Sequence, residues 1–291
     1  MKRIVLFMMT NLGVMLIIGV LLSISGIQSR NVLQLLVLSG VSGIGGSLIS
    51  LLMSKTMALK SINGKTILKP EDENEKWLIE TISKQAKKMR IHMPQVVIYQ
   101  SSDVNAFTTG PHHDNSLIAV SSSLLKDMTK DEIEAVLAHE MSHIYNGDMV
   151  TMTLLQGIAN TFVFFISNIL NRFLYSTNRS SIPNGPNYFA TILVSILQTL
   201  IGGISTIIIM WFSRQREFYA DAGAARLAGR DKMIAALKRL KTTPSKPMPA
   251  MSSLRPFFIN GGTNNVLSVL FKSHPSLEQR IKALRTLKYL R

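Results

Sequence analysis

Long stretches without a charged side chain dominate the hydrophobic pattern of this sequence. Four such stretches cover residues 4–29, 31–54, 149–171 and 180–213, and the last is apolar from about residue 189 to 212. A helix needs roughly 20 apolar residues to cross the hydrocarbon layer of a membrane, and each stretch contains a segment of that length. The pattern therefore predicts four transmembrane helices.

Three of these stretches also have an alternative interpretation. The first follows Lys2 and Arg3, as the core of a signal peptide does, but it is too long for one and no small-residue cleavage site follows it. The third and fourth could instead form a buried or partly embedded hairpin, because they contain the polar residues Gln156, Asn160, Asn168 and Gln198.

Basic residues are distributed unevenly between the apolar stretches. Nine Lys or Arg lie in residues 55–90 and sixteen in residues 214–291, whereas one lies between the first two stretches and two between the last two. Because loops rich in Lys and Arg stay in the cytoplasm, both termini are predicted to be cytoplasmic. The predicted domains are transmembrane helices in 1–54, a first cytoplasmic part in 55–148, a transmembrane hairpin in 149–213 and a second cytoplasmic part in 214–291.

The composition agrees with a membrane protein and adds a strong positive charge. Apolar residues make up 46% of the chain and charged residues 17%, against about 25% charged in soluble domains. This excludes a disordered chain and argues against an ordinary soluble enzyme. The net charge is +15. Nucleic-acid binding is one interpretation of the surplus, but beside membrane spans we favour contact with an anionic lipid leaflet and predict no nucleic-acid partner.

The segments between the apolar stretches show the periodicities of a small α+β domain. Helical patterns cover residues 70–90, 129–147, 214–240 and 275–289. Strand patterns cover residues 95–99, 105–109 and 116–120, with a turn at 110–115 and a long loop at 242–264. The predicted fold class is an α+β integral membrane protein with a mostly helical cytoplasmic domain and a small β-sheet.

A capping box at Thr129-Lys130-Asp131-Glu132 and a stop at Asn146-Gly147 mark the ends of the helix predicted over residues 129–147. This helix carries the motif His139-Glu140-Met141-Ser142-His143. Residues i and i+4 share one helix face, so both imidazoles can bind one metal ion, and Glu140 can act as a general base towards water on that ion. The chain has no cysteine, so the ligands must be His, Asp or Glu. Neutral imidazoles without thiolates suit Zn²⁺ best.

A catalytic zinc site needs a third protein ligand and one open position. Glu217 is our candidate, because Asp221 lies four residues later on the same helix face and could accept the N–H of a ligating histidine. A surface ion pair of Glu217 with Arg214 or Arg216 explains the residues equally well. His274 is the second candidate for the ligand.

Other polar residues have both a catalytic and a structural interpretation. His274 or Arg280 could stabilise the oxyanion that forms when water attacks a carbonyl, but Arg280 could also simply line the last helix. Asp148 could orient a ligating histidine or cap a helix. His112 and His113 lie in a predicted turn, where solvated side chains are expected.

The charges of the motif helix bear on the class of protein. The helix carries four charged residues before the motif, Lys130, Asp131, Glu132 and Glu134. Burying these charges in lipid would be costly, so we expect the metal to lie outside the hydrocarbon layer. In intramembrane metalloproteases the motif lies within a hydrophobic span. A non-catalytic membrane scaffold with a structural metal is the alternative, and it would need a fourth protein ligand, for which His274 is the candidate. A transporter is disfavoured, because it would need ionisable residues inside the apolar stretches.

Five longer segments, spread over nearly the whole chain, also match a known family. They are LLMSKTMALKS, NAFTTG, EAVLAHEMSHIYNGDMVTMTL, MWFSRQREFYADAGAARLAGRDKMIAAL and SHPSLEQRIKALR. On these segments the sequence closely resembles the HtpX family of bacterial membrane heat-shock metalloproteases, which is related to the CAAX prenyl endopeptidases. The clearest departure is the linker at residues 172–189, so nothing functional is carried over there.

The resemblance implies a zinc endopeptidase of the bacterial inner membrane with a zincin-like domain that degrades damaged or misfolded membrane proteins. It implies zinc ligands at His139, His143 and Glu217, a catalytic base at Glu140 and a hydrogen-bonding partner of a ligand at Asp221. It places His274 and Arg280 near the substrate. It also places Asn105, Ala106 and Phe107 on an edge strand, to which an extended substrate could add by main-chain hydrogen bonds.

Overall fold

The structure is a computed structural model that describes residues 29–62, 64–177, 188–242, 274–286 and 289. The first apolar stretch and almost all of the predicted loop at 242–264 lie outside the described residues. The helices are α1 (Ser29–Ile62), α2 (Glu73–Met89), α3 (Ser122–Asp127), α4 (Lys130–Asn146), α5 (Asp148–Thr177), α6 (Tyr188–Leu227), α7 (Arg230–Thr242) and α8 (Leu277–Arg285). The strands are β1 (Lys65–Thr66), β2 (Gln95–Tyr99), β3 (Ala106–His112) and β4 (Asn115–Ser121).

Three long helices correspond to the second, third and fourth apolar stretches. Within the described residues, the segments long and apolar enough to cross a membrane are Leu33–Ile62, Asp148–Leu170 and Thr191–Leu227. Helix α6 continues past its apolar part to Leu227, and Gly229 then breaks the helix with a φ of 114°. The single helix predicted over residues 214–240 was therefore wrong, because a glycine in the left-handed region separates the end of α6 from α7.

The chain divides into two compact units. The first contains residues up to 50 and residues 151–209, and the second contains residues 51–150 and 210–291. Within the first unit, α1 and α5 approach closely where glycine lies at the contact. A Cβ added to Gly43 would lie 2.3 Å from Thr161 Oγ1, and one added to Gly157 would lie 3.2 Å from Ile44 Cα. Small residues let helix backbones approach closely, which is a common basis for helix packing in membranes.

The second unit is built on a mixed sheet with strand order β1-β2-β4-β3. Strands β2 and β4 are parallel, and the other neighbours are antiparallel. Because side chains alternate across a strand, the sheet has two apolar faces. One face packs with residues of α2, α4 and α7, and the other packs on Ala58 and Ile62 at the end of α1. Among the described strands, β3 has a strand neighbour on one side only.

The local predictions for this unit are largely confirmed. Strand β2 has the predicted bounds, and Thr129 forms the predicted capping box with Glu132 at the start of α4. Gly147 ends α4 in the left-handed conformation, with a φ of 66°. Strands β3 and β4 extend further into the predicted turn than expected, because a register shift between Thr109 and His112 lets their pairing continue to the tip of the hairpin.

Candidate metal centre

Helix α4 places the two motif histidines on one buried face. The His139 and His143 side chains are almost completely buried, and their Nε2 atoms lie 3.1 Å apart. This proximity follows from the i, i+4 spacing, which was the basis of the prediction. The capping box and the glycine stop fix the ends of α4, so the motif lies in the last two turns of a well-defined helix.

Helix α6 brings a carboxylate to the same point from a distant part of the chain. Glu217 Oε2 lies 3.5 Å from His139 Nε2, and Glu217 Oε1 lies 3.4 Å from His143 Nε2. The two helices can approach closely because residue 223 is a glycine. A Cβ at Gly223 would lie 2.4 Å from Ser142 Oγ and 2.9 Å from Ser142 Cβ, so any larger residue would push α6 away from α4.

Two aspartates orient the imidazoles. His139 Nδ1 lies 3.0 Å from Asp221 Oδ1, and His143 Nδ1 lies 2.6 Å from Asp148 Oδ2. Because a carboxylate can only accept a hydrogen bond, each Nδ1 carries a proton, and when the ring is neutral its lone pair is on Nε2. Both lone pairs are directed towards the Glu217 carboxylate.

This arrangement fits a divalent metal ion. The Glu217 Oε2 atom is buried without a hydrogen-bond partner among the described residues, although it faces two imidazole nitrogens and a guanidinium. Donor atoms about 2.0–2.1 Å from a tetrahedral zinc ion are separated by about 3.3–3.4 Å. The 3.1 Å between the two Nε2 atoms, and the 3.4 and 3.5 Å from each of them to one of the two Glu217 oxygens, are close to that spacing. A His₂Glu ligand set is typical of catalytic zinc sites with an open fourth position.

The electrostatics of the cluster also favour a cation. Burial disfavours a charged His139, but the neighbouring carboxylates of Asp221 and Glu217 outweigh this effect and raise the pKa of His139. Burial likewise opposes a charged His143, yet Asp148 and Glu217 raise the pKa of His143 to about 10. The carboxylates therefore create a strongly negative potential at the two rings, and a metal ion would neutralise it.

Glu140 is buried beside this cluster, on the sheet side of the ligand pair. Removal from water is the main cause that raises the pKa of Glu140, and a hydrogen bond with Thr108 of β3 partly opposes the shift. Thr108 was not among the residues singled out from the sequence. Its partner is separated from it by more than thirty positions, so no local pattern could indicate the contact.

Arg280 and His274 lie on the other side of Glu217. Arg280 is buried in a bidentate ion pair, in which Nε and Nη2 donate to the two carboxylate oxygens of Asp221 at 2.8 and 2.6 Å. Its Nη1 lies 3.3 Å from Glu217 Oε2. His274 Nδ1 lies 2.9 Å from that same oxygen, and the side chain is 21% exposed. Both residues predicted near the substrate therefore contact the proposed metal ligand directly.

Side chains that meet a substrate are expected to be exposed, but those of the predicted edge-strand residues are not. Asn105, Ala106 and Phe107 are all buried. Ala106 packs in the core on one face of the sheet and Phe107 in the core on the other, while Asn105 Nδ2 donates to the hydroxyl of Tyr99 at 3.0 Å. Substrate recognition at this strand would therefore rest on the backbone of β3 and not on these side chains.

Arg216 is a further residue of the centre that the sequence did not assign correctly. It donates from Nη1 to the backbone carbonyl of Asp148 at 3.1 Å, and its Nε lies 3.4 Å from Asp148 Oδ2. One of the two interpretations of Glu217 paired it with Arg214 or Arg216 at the surface. Adjacent residues of a helix point in different directions, which is the signal that could have excluded the pair with Arg216.

Comparisons with known proteins agree with this centre. The model of peptidase family M48 matches residues 72–288. A protein named Protease HtpX from Erwinia tasmaniensis is 53% identical over 296 residues, and one from Yersinia pestis (strain Pestoides F) is 52% identical over 298 residues, with 100% of both chains covered in each case. The crystal structure of S. mikatae Ste24p has a TM-score of 0.63 at 19% identity, covering 98% of this chain and 67% of that one, so it is similar in fold.

Proposed function

Because the chain belongs to peptidase family M48, we propose that it is a zinc-dependent endopeptidase whose metal is held by His139, His143 and Glu217. The family and the long apolar helices identify a membrane-bound metalloprotease. The proposal of these three ligands rests on one observation, which is the buried group of two Nε2 atoms and a carboxylate whose donor atoms all lie within 4.8 Å of one another.

Zinc is the metal we propose, because neutral imidazoles and one carboxylate form its usual catalytic ligand set. When bound, the ion would polarise the scissile carbonyl and make water a nucleophile near neutral pH. Asp221 and Asp148 would hold the imidazoles in the Nδ1–H tautomer, which keeps both Nε2 atoms available to the metal.

Glu140 would provide the proton transfers. Its buried carboxylate would accept a proton from the attacking water and pass it to the nitrogen of the leaving amine. The raised pKa of Glu140 suits this role, because a stronger base accepts the proton more readily and can still release it in the following step.

We assign positioning roles to the two basic residues beside Glu217. Arg280 fixes Asp221 by two hydrogen bonds, and Asp221 in turn orients His139. His274 is the more exposed of the two, so it is the better candidate to donate a hydrogen bond to the oxyanion of a substrate. The expected oxyanion role is therefore retained for His274, and for Arg280 we favour orientation of Asp221.

The scaffold alternative would require a site closed by a fourth protein ligand. Within the described residues, the buried group with compatible donor distances consists of His139, His143 and Glu217. His274 Nδ1 lies 2.9 Å from Glu217 Oε2, but His274 is not part of this group. Three protein ligands would therefore hold the ion and leave one position for water or substrate, which supports the enzyme.

We further propose that the substrates are damaged or misfolded membrane proteins and that the protease domain faces the cytoplasm at the bacterial inner membrane. An extended backbone pairing with β3 would discriminate little between side chains, which suits a protease of quality control. The clustering of Lys and Arg in residues 55–90 and 214–291 supports the orientation.

The replacement Glu140→Gln tests the mechanism. We expect the purified variant to keep its fold and its bound zinc and to lose cleavage of a casein-like substrate, because the amide cannot accept the proton. Glu134→Gln is the matched control, since it makes the same change on the same helix at a residue that pairs with Lys232, and it should cleave normally. Cleavage by rigorously purified Glu140→Gln would disprove the assignment of the base.

A further inference from the structure

The six histidines of the chain fall into two groups of three, each around one carboxylate. The first group surrounds Glu217 in the peptidase centre and consists of His139, His143 and His274. The second surrounds Asp114 and consists of His92, His112 and His113. The proposed peptidase chemistry makes no use of the second group, which we call the tip cluster.

The contacts of the tip cluster concentrate donor atoms in a small space. His92 Nδ1 contacts Asp114 Oδ1, while His112 Nδ1 and His113 Nε2 lie 3.3 and 3.6 Å from Asp114 Oδ2. His112, His113 and Asp114 each offer a donor atom within 4.8 Å of the others. Imidazole nitrogens with a carboxylate oxygen form a ligand set suited to divalent zinc, cobalt, nickel or copper.

One hydrogen bond fixes the tautomer of His112. The backbone N–H of Asp114 donates to His112 Nδ1 at 3.3 Å, so this nitrogen carries a lone pair and no proton. His112 Nδ1 and Asp114 Oδ2 are therefore two acceptors at 3.3 Å with no proton between them. Two such acceptors repel each other, and a cation that took the place of the backbone N–H at Nδ1 would be bound by both atoms and would relieve the repulsion.

The backbone of the hairpin holds these side chains in position. Gly110 has a φ of 143°, and a Cβ there would lie 2.4 Å from the carbonyl oxygen of Asn115, so glycine is required at the irregular pairing before His112. Ser116 Oγ donates to the His113 carbonyl at 3.0 Å, and Lys55 Nζ donates to Asn115 Oδ1 at 2.9 Å. The tip is thus formed before any ligand binds.

We propose that His112, His113 and Asp114 form a second divalent transition-metal site, separate from the peptidase centre, and that His92 orients Asp114 through its contact with Oδ1. The side chains of the tip cluster are 44–79% exposed, so a hydrated cation can enter directly and keep some of its water ligands. The affinity of this site is therefore lower than that of the buried centre. The proposal does not depend on the peptidase function.

The test uses the full-length protein in detergent, stripped of metal and titrated with Co²⁺, whose visible absorbance reports imidazole ligands. Glu217→Ala is the background, because it removes the buried site and leaves the tip cluster intact. We expect this variant to bind one equivalent of Co²⁺. Adding His112→Ala and His113→Ala should abolish that binding, and adding Asp114→Asn should weaken it at least about tenfold.

Asp127→Asn in the same background is the control, because it removes an exposed carboxylate that lies outside the cluster. It should bind Co²⁺ like Glu217→Ala alone. Thermal unfolding gives a second measurement, in which Co²⁺ raises the Tm of Glu217→Ala but not that of the triple variant. Equal Co²⁺ binding by Glu217→Ala and the triple variant would refute the site, as would no Co²⁺ binding by Glu217→Ala. Every variant compared here carries Glu217→Ala, so the results do not depend on whether the buried site binds a metal.

Discussion

The proton on each motif imidazole decides whether its Nε2 can bind a metal. Asp221 accepts the Nδ1–H of His139, and Asp148 accepts that of His143, so both rings present a lone pair to the same point. Residues that hydrogen-bond a metal-binding histidine commonly affect metal affinity strongly, because they set the orientation and the basicity of that ligand. The aspartates are therefore as informative to mutate as the histidines.

Replacement of Asp148 by Asn should weaken zinc binding by about 10- to 100-fold, because a neutral amide makes His143 less basic and no longer holds its tautomer. A competition titration against a chromophoric chelator measures this affinity. Asp231→Asn is the control, since its side chain is 90% exposed at the start of α7. Wild-type zinc affinity in Asp148→Asn would show that the contact is only structural.

Tyr99 provides a test of pH dependence away from the metal. Burial raises the pKa of Tyr99 to about 12, although its hydrogen bond with Asn105 acts in the opposite direction. The pKa of an unfolded tyrosine is about 10, so the protonated phenol stabilises the fold fully below pH 10. This contribution, about 2–3 kcal/mol, is lost as the pH rises through about 12.

A spectrophotometric titration of tyrosinate formation should therefore show one late step in the wild-type protein that Tyr99→Phe removes. Tyr145→Phe replaces an exposed tyrosine and should leave the late step in place. If the late step persists in Tyr99→Phe, then that step does not belong to Tyr99.

Among the elements, the contact between α4 and α6 assembles the ligand set. Helix α4 contributes both histidines, and α6 contributes Glu217 and Asp221. The contact is close at Gly223, where a Cβ would lie within 3 Å of both side-chain atoms of Ser142. The position of Glu217 relative to the imidazoles therefore depends on a glycine six residues further along the same helix.

Gly223→Ala should displace α6 and lower zinc affinity, at an overpacking cost of about 1–3 kcal/mol. Ser142→Gly removes the atoms that the new methyl group would meet, so the double variant should recover most of the lost affinity relative to Ser142→Gly alone. Gly203→Ala is the control on the same helix, because a Cβ there meets nothing within 4 Å. Unchanged zinc affinity in Gly223→Ala would contradict this account of the helix contact.

For the whole molecule, the open question is on which side of the membrane each segment lies. The chain has no cysteine, so single cysteines report the accessibility of one position without background. The proposed topology puts Ser181 and Asn187 on the side opposite to the protease domain.

We expect a membrane-impermeant maleimide to label cysteines at Ser181 and Asn187 only from the periplasmic side. A cysteine at Asp127, in the protease unit, should be labelled only from the cytoplasmic side and serves as the control. Labelling of all three from the cytoplasmic side would show that the segments on either side of residues 172–189 do not cross the membrane.

What could be predicted from the sequence rests on local periodicity. The second, third and fourth apolar stretches, strand β2, the capping box of α4 and the spacing of His139 and His143 all depend on residues within one element. The structure has these elements where they were predicted. The helix break at Gly229 was missed because the helical pattern continues on both sides of it.

The remainder was decided by tertiary structure. The residues alone did not separate Glu217 as a ligand from Glu217 as a surface ion pair, since the choice depends on how closely α6 packs on α4. The bidentate pair of Arg280 with Asp221, and the grouping of His92 with the hairpin tip, likewise join residues that are distant in sequence. Periodicity fixes which face of an element is buried, but the partner of that face is set by packing between elements, and the chemistry of this protein lies at such contacts.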